Sequence, residues 1–262
     1  MKKLFTLIAF LFSLTMLGSH LSGGDIQYRY IGDSTNVARQ YEVLLRIYRD
    51  NSGIPMGNTQ TVYINSSCYS QQSMTVTLLP GSGGIAPTLF DCVVPSSTTK
   101  TLEIYAYKGV VTLPGNCNNF NFSWNQCCRP GGIDNINTSN GFGSDGFYFD
   151  ALLDNTHGQN SSPIFISEPV RAFCVNNPFN WKQTVLETDG DSIIFSMIKC
   201  RENAYPGTDI NFDAGWTASQ PITSSSFNLN PSTVLISFLP TMQEIDVASV
   251  LVEEYRYDSL YG

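Results

Sequence analysis

Three acidic residues, Glu187, Asp189 and Asp191, fall within the five-residue stretch "ETDGD". Carboxylates at alternating positions can ligate a divalent cation, work as a catalytic acid–base pair, or accept backbone N–H groups in a turn. An EF-hand loop is excluded. Counted from Asp189, glycine stands second instead of sixth, and the twelfth position is Cys200. A glycosidase pair needs two carboxylates opposed across a sugar, which neighbours on one loop do not provide. Two readings remain open. In one, Asp189–Gly190 is a turn, Asp191 caps it and Ser192 begins a strand. In the other, Glu187, Asp189 and Asp191 bind calcium, with Glu168 or Asn160 adding oxygens.

Other residues able to do chemistry are fewer. "GFGSDG" (141–146) matches the glycine pattern of a dinucleotide-binding turn. That motif needs a strand before it and a helix after it. Here "INTSN" precedes and the alternating "FYFDALL" follows, so a glycine-rich hairpin loop is expected. His20 and His157 have no serine or cysteine nucleophile beside them, and neither Gly-x-Ser-x-Gly nor His-Glu-x-x-His occurs. Trp124, Trp181 and Trp216 suit a sugar-stacking platform or, more commonly, strand packing. No recognised catalytic set emerges, and the expectation is a protein that is not an enzyme.

The elements that must position these residues are strands. In "QYEVLLRIYRD" (40–50), Tyr41, Val43, Leu45 and Ile47 alternate with Glu42, Leu44, Arg46 and Tyr48, a period of two that buries one face. The stretches 73–79, 101–109, 119–124, 146–153, 191–198, 232–239 and 248–257 are similar, filled with β-branched and aromatic residues. Turn chemistry separates them, as in "LPGSGG", "RPGG" and "NLNPS". No helical period persists, although "PTMQEIDVAS" could hold one short turn. Turns about every 8–12 residues point to all-β sandwiches. The polar stretch 153–169 marks a boundary, with a first sandwich over 20–157 and a second over 158–262.

Residues 1–19 read as a cleaved signal peptide. Lys2 and Lys3 precede an apolar run of 14 residues, Leu4–Leu17, and then the small Gly18 and Ser19. The run is shorter than the roughly 20 residues needed to span a bilayer, so no transmembrane segment is expected in the mature chain. Net charge is −8, and loss of Lys2 and Lys3 makes it −10. Such a polyanion repels phosphate backbones, which argues against a nucleic-acid partner and suits cation binding and solubility.

In an exported chain the seven cysteines read as disulfides, and the odd number leaves one over. Adjacent Cys127 and Cys128 do not have zinc-knuckle spacing. On a strand they point to opposite faces, so each is expected to bond a different partner. Cys117, ten residues upstream of Cys127 on the same hairpin, is the expected partner of one. Cys68 with Cys92 closes another loop. Cys174 reaches either the second member of the pair, leaving Cys200 free, or Cys200 itself. Each bond adds about 2–4 kcal/mol.

Several pieces occur in one order: "SHLSGGDIQYRY" (19–30), "YEVLLRIYRDNSG" (41–53), "VTLPGNC" (111–117), "WNQCCRPGGIDN" (124–135), "NSSPIF" (160–165), "ETDGDSIIFSMI" (187–198) and "VEEYRYD" (252–258). Together they resemble the N-terminal region of large exported surface proteins of Bacteroidota, of the gliding-motility-associated or polycystic-kidney-disease (PKD) domain type. Cysteines typical of that family are absent at Asn51 and near Ser96–Thr99. In the second half, "NSSPIF" and the acidic loop before an alternating strand also resemble cadherin repeats, in which calcium binds at the junction between sandwiches. The resemblance implies tandem immunoglobulin/cadherin-like β-sandwiches in a structural or adhesive role at the cell surface. Its implied partners are other surface proteins or glycans, and the alternative is a carbohydrate-binding module. In the family the closing strand is followed by further domains and a sorting domain for type IX secretion. The chain is therefore expected to be part of a longer or split reading frame, or a short form that pairs with another surface protein and stays periplasmic alone.

Overall fold

A computed structural model describes residues 21–50, 53–83, 102–137, 146–167, 172–182 and 184–256. The expectations for the leader, His20, Cys92, Glu168 and most of "GFGSDG" lie outside these residues. The described chain is all-β, in antiparallel sheets, with one single-turn helix, α1 (Gly32–Thr35).

The first seven strands are β1 (Leu21–Tyr30), β2 (Gln40–Asp50), β3 (Thr59–Asn65), β4 (Gln72–Leu78), β5 (Leu102–Thr112), β6 (Phe120–Gln126) and β7 (Phe147–Leu153). They form one sheet in the order β1-β2-β5-β4-β3-β6-β7. Strand β4 meets β5 through its end, by the pairs Thr77↔Lys108 and Leu78↔Tyr107 and then by the Leu79 amide on the Ala106 carbonyl at 2.8 Å. The two halves face each other as a sandwich, because Tyr28 and Tyr41 from one half meet Phe122 of the other at 5.3 and 6.5 Å between ring centroids. The period-two pattern of β2 is realised: Tyr41, Val43, Leu45 and Ile47 are all buried in this core. The outer strands also meet. The Tyr28 hydroxyl donates to the Leu152 carbonyl at 2.7 Å. At Gly24 a Cβ would lie 2.5 Å from the Arg46 carbonyl and 2.6 Å from the Phe149 ring, so only glycine lets β1 approach both neighbours this closely.

The remaining strands are shorter: β8 (Ile164–Phe165), β9 (Phe179–Lys182), β10 (Val185–Leu186), β11 (Ser192–Ile198), β12 (Arg201–Glu202), β13 (Thr208–Asp209), β14 (Ser224–Leu229), β15 (Leu235–Pro240) and β16 (Ser249–Tyr255). They make a three-stranded sheet β14-β15-β9 and the pairs β10-β8, β11-β16 and β12-β13. Phe173, Phe179, Phe227 and Phe238 cluster on the three-stranded sheet. A second core joins Ile133 and Ile136 to Cys200 and Ile210. Residues from both sides of position 157 thus share one core. "PTMQEIDVAS" holds no helix.

The cysteine pairing differs from expectation. Cys68 bonds Cys117, not Cys92, and Cys127 bonds Cys128. The adjacent pair bonds to itself because β6 ends at Gln126, one residue before it. With no strand geometry to impose, the two side chains are not held on opposite faces. Cys117 is drawn to Cys68 by the loops that flank β6 and β3: Asn119 Oδ1 accepts from both the Ser67 amide and hydroxyl at 3.0 Å. Cys174 is also disulfide-bonded, and Cys200 is free and buried.

Candidate functional site

The acidic stretch sits on the turn between β10 and β11, and Gly190 adopts φ 86° there. The cap is Glu187, not Asp191. Its carboxylate accepts the amides of Asp189, Gly190 and Asp191 at 2.6, 2.7 and 2.9 Å. Glu187 is better placed because it precedes the turn and meets the N–H groups of the three residues that follow within it, whereas the Asp191 carboxylate is taken by Arg256. Ser192 begins β11, as expected.

Asp191 turns instead to the end of the chain's last described strand. Arg256 Nε lies 3.0 and 3.1 Å from its two carboxylate oxygens, and Nη2 lies 2.7 Å from Oδ2. This is a forked, charge-assisted pair, and it holds the Arg256 guanidinium above its usual basicity. The same guanidinium donates to the Gln159 carbonyl at 2.7 Å and to Asn160 Oδ1 at 2.5 Å. Asn160 Nδ2 in turn donates to Glu254 Oε2 at 2.7 Å. Asp189 accepts the Ser161 amide at 2.6 Å. Ser161 and Ser162 then reach β1, where their hydroxyls accept the amides of Tyr30 and Tyr28 at 3.2 and 2.9 Å.

Segment 159–162 is therefore clamped on both sides, by β1 and by the acidic turn with β16. Within the clamp, Glu187, Asp191 and Glu254 each offer an oxygen within 4.8 Å of the others. Glu254 enters because β16 pairs with β11 in the register Ile193↔Glu254. Burial is the main cause pushing its carboxyl up to about 7. The Asn160 hydrogen bond opposes this, and the charges of Asp191, Glu187 and Asp189 add to it. Its Oε1 is enclosed without a hydrogen-bond partner.

These oxygens are close enough to share one hard cation with Ca–O distances of about 2.3–2.6 Å. Asp189 faces Ser161 and stands to one side, and Glu168 lies outside the described residues. A cation there would compete with Arg256 for Asp191. Glu254 and Arg256 were invisible to motif reading, since nothing local in "VEEYRYD" marks them as neighbours of a loop some sixty residues earlier.

The other candidates disperse. His157 is an exposed side chain whose ring pairs with Asp154 at 3.4 Å. Trp124 is buried, stacks on Phe149 and donates to Gln60 Oε1 at 3.2 Å. Trp181 and Trp216 are half-buried with their indole N–H groups enclosed. Among the described residues no helix is long and apolar enough to cross a membrane. Against family models, curated proteins and solved structures, the chain has no significant match.

Proposed function

We propose that this chain is an exported, non-enzymatic structural or adhesive protein of the cell surface, built of tandem immunoglobulin/cadherin-like sandwiches and engaging other surface proteins or glycans. The observation that supports it best is the clamp at 159–162. Side-chain bonds tie this connector to β1 on one side and to Asp189, Glu254 and Arg256 on the other. A connector held at both ends keeps successive β units at a fixed angle, which suits a spacer or adhesive stalk. The resemblance to the Bacteroidota surface proteins points the same way, as does the disulfide-bonded fold. Fractionation of native cells, with cross-linking, should find the chain in the envelope bound to a surface partner. Dose-dependent glycan-array binding lost in Trp181→Ala or Trp216→Ala would replace this reading with the carbohydrate-binding one. Recovery of the chain only from the cytoplasm would overturn both.

A calcium-stiffened version of the clamp is favoured by one feature, the convergence of Glu187, Asp191 and Glu254. In this version calcium displaces Arg256 from Asp191 and ties the acidic turn to β16. Calcium should then raise the melting temperature, and Asp191→Asn should remove the response. Identical melts with calcium and with chelator would exclude it.

A further inference from the structure

We propose that the contact between segments 133–136 and 244–247 is a pH-sensitive latch, closed by a hydrogen bond between the Asp246 and Glu244 carboxyls and opened when both are ionised. The contact is built like a short antiparallel ladder. Asp134 N–H donates to the Ile245 carbonyl, and Ile245 N–H donates to Asp134 Oδ2, both at 2.8 Å. Val247 N–H donates to Asn135 Oδ1 at 3.1 Å, and Asn135 Nδ2 donates to the Val247 carbonyl at 2.7 Å. Glu244 Oε1 is occupied by the Thr223 amide at 2.5 Å.

The other Glu244 oxygen, Oε2, and Asp246 Oδ1 are both enclosed without a donor. Two ionised carboxylates have no proton to share. One proton on Asp246 supplies the missing donor to Glu244.

The charges around the pair do not relieve it. Segment 133–136 brings Asp134, another anion, and segment 220–223 carries no charge. Segment 208–213 carries Asp209 and Asp213, two further anions. The cations that border the hollow lined by Glu244 and Asp246 are engaged elsewhere: Lys199 Nζ with Asn211 Oδ1 at 3.1 Å, Arg129 with the Gly146 and Arg201 carbonyls at 3.0 and 3.3 Å, Arg201 with Asp150, and Arg256 with Asp191. Burial pushes the Asp246 carboxyl up to about 8, with the Glu244 hydrogen bond and the charges of Glu244 and Asp134 acting in the same direction.

A carboxyl raised on folding stabilises the closed form fully below its unfolded value near 3.8. That stabilisation drains as pH rises and is gone above about 8. Within this window the opening constant grows by up to about tenfold per pH unit. Ile245, Asp246 and Val247 line this hollow of about 2100 Å³, which β1, β7, β11, β15 and β16 border as well, so opening the latch widens access to it.

Hydrogen exchange read by mass spectrometry on the full chain tests this, with Asp246→Asn at the same pH as the reference for intrinsic exchange. The wild-type peptide covering 244–250 should exchange progressively faster than the variant, with the ratio rising at least about tenfold from pH 5.5 to 8.5. A constant ratio overturns the latch. Should Asp246→Asn not fold, Glu244→Gln carries the test. Its amide donates without a proton on Asp246, so the pH dependence should move to lower pH. An unchanged profile in that variant would likewise overturn the proposal.

Discussion

Asn135 is fully buried, and its amide uses every group it has. Nδ2 donates to the carbonyls of Pro221 and Val247, both at 2.7 Å, and Oδ1 accepts the Val247 amide at 3.1 Å. Asn135→Ala removes all three bonds and leaves two carbonyls and one N–H facing a space too small to hydrate well. A net hydrogen bond is worth about 1 kcal/mol, and a buried group left without a partner costs about 1–3. Three bonds of the first kind set a lower figure of about 3 kcal/mol. For a chain of this size each kcal/mol shifts the melting temperature by about 2–4 °C, giving a fall of about 6–12 °C. Asn135→Asp should be no milder, since it keeps the size but sets a carboxylate against two carbonyl oxygens. Differential scanning calorimetry measures the shift, and urea unfolding gives the free energy. A shift below about 2 °C for Asn135→Ala would refute the idea that this one side chain binds segment 133–136 to the second half.

Peptide mapping under non-reducing conditions should recover Cys68 linked to Cys117 and Cys127 linked to Cys128, with Cys200 alkylated only after denaturation. A Cys68–Cys92 peptide would contradict the loop packing around Asn119. Replacing Cys68 and Cys117 together by serine opens a 49-residue separation and should cost about 4 kcal/mol in urea unfolding, by loop-closure entropy. Arg201→Met removes a partner of Asp150, whose side chain is only 13% exposed, and a contact over the Tyr148 ring at 5.0 Å. A loss of about 2 kcal/mol is expected, and the double variant with Asp150→Asn should recover part of it. Trp124→Ala should destabilise by about 3–5 kcal/mol, against under about 1 kcal/mol for Val110→Ala, whose side chain is largely exposed on β5.

The fold class was legible in the sequence because a strand's side-chain period is local. Tyr41, Val43, Leu45 and Ile47 announce a buried face whatever they pack against, and β2 spans the stretch that its alternation marks. The same locality identified the turn before Ser192, since Asp-Gly supplies its own backbone freedom. Strands β1, β3 and β14 were not marked by alternation: in β1, Gly24 interrupts the side-chain pattern, and only the nearness of Phe149 and the Arg46 carbonyl explains why no side chain fits there. The partners of groups on different strands were not legible at all. That Cys117 meets Cys68, that Glu187 and not Asp191 caps the turn, and that Glu254 and Arg256 close on the acidic loop follow from strand register and from how loops stack at the sheet ends. Those are long-range choices, made by the summed burial of many side chains. No spacing within one segment encodes them, so the residues of the candidate site were partly visible in the sequence while their arrangement was decided by the tertiary structure alone.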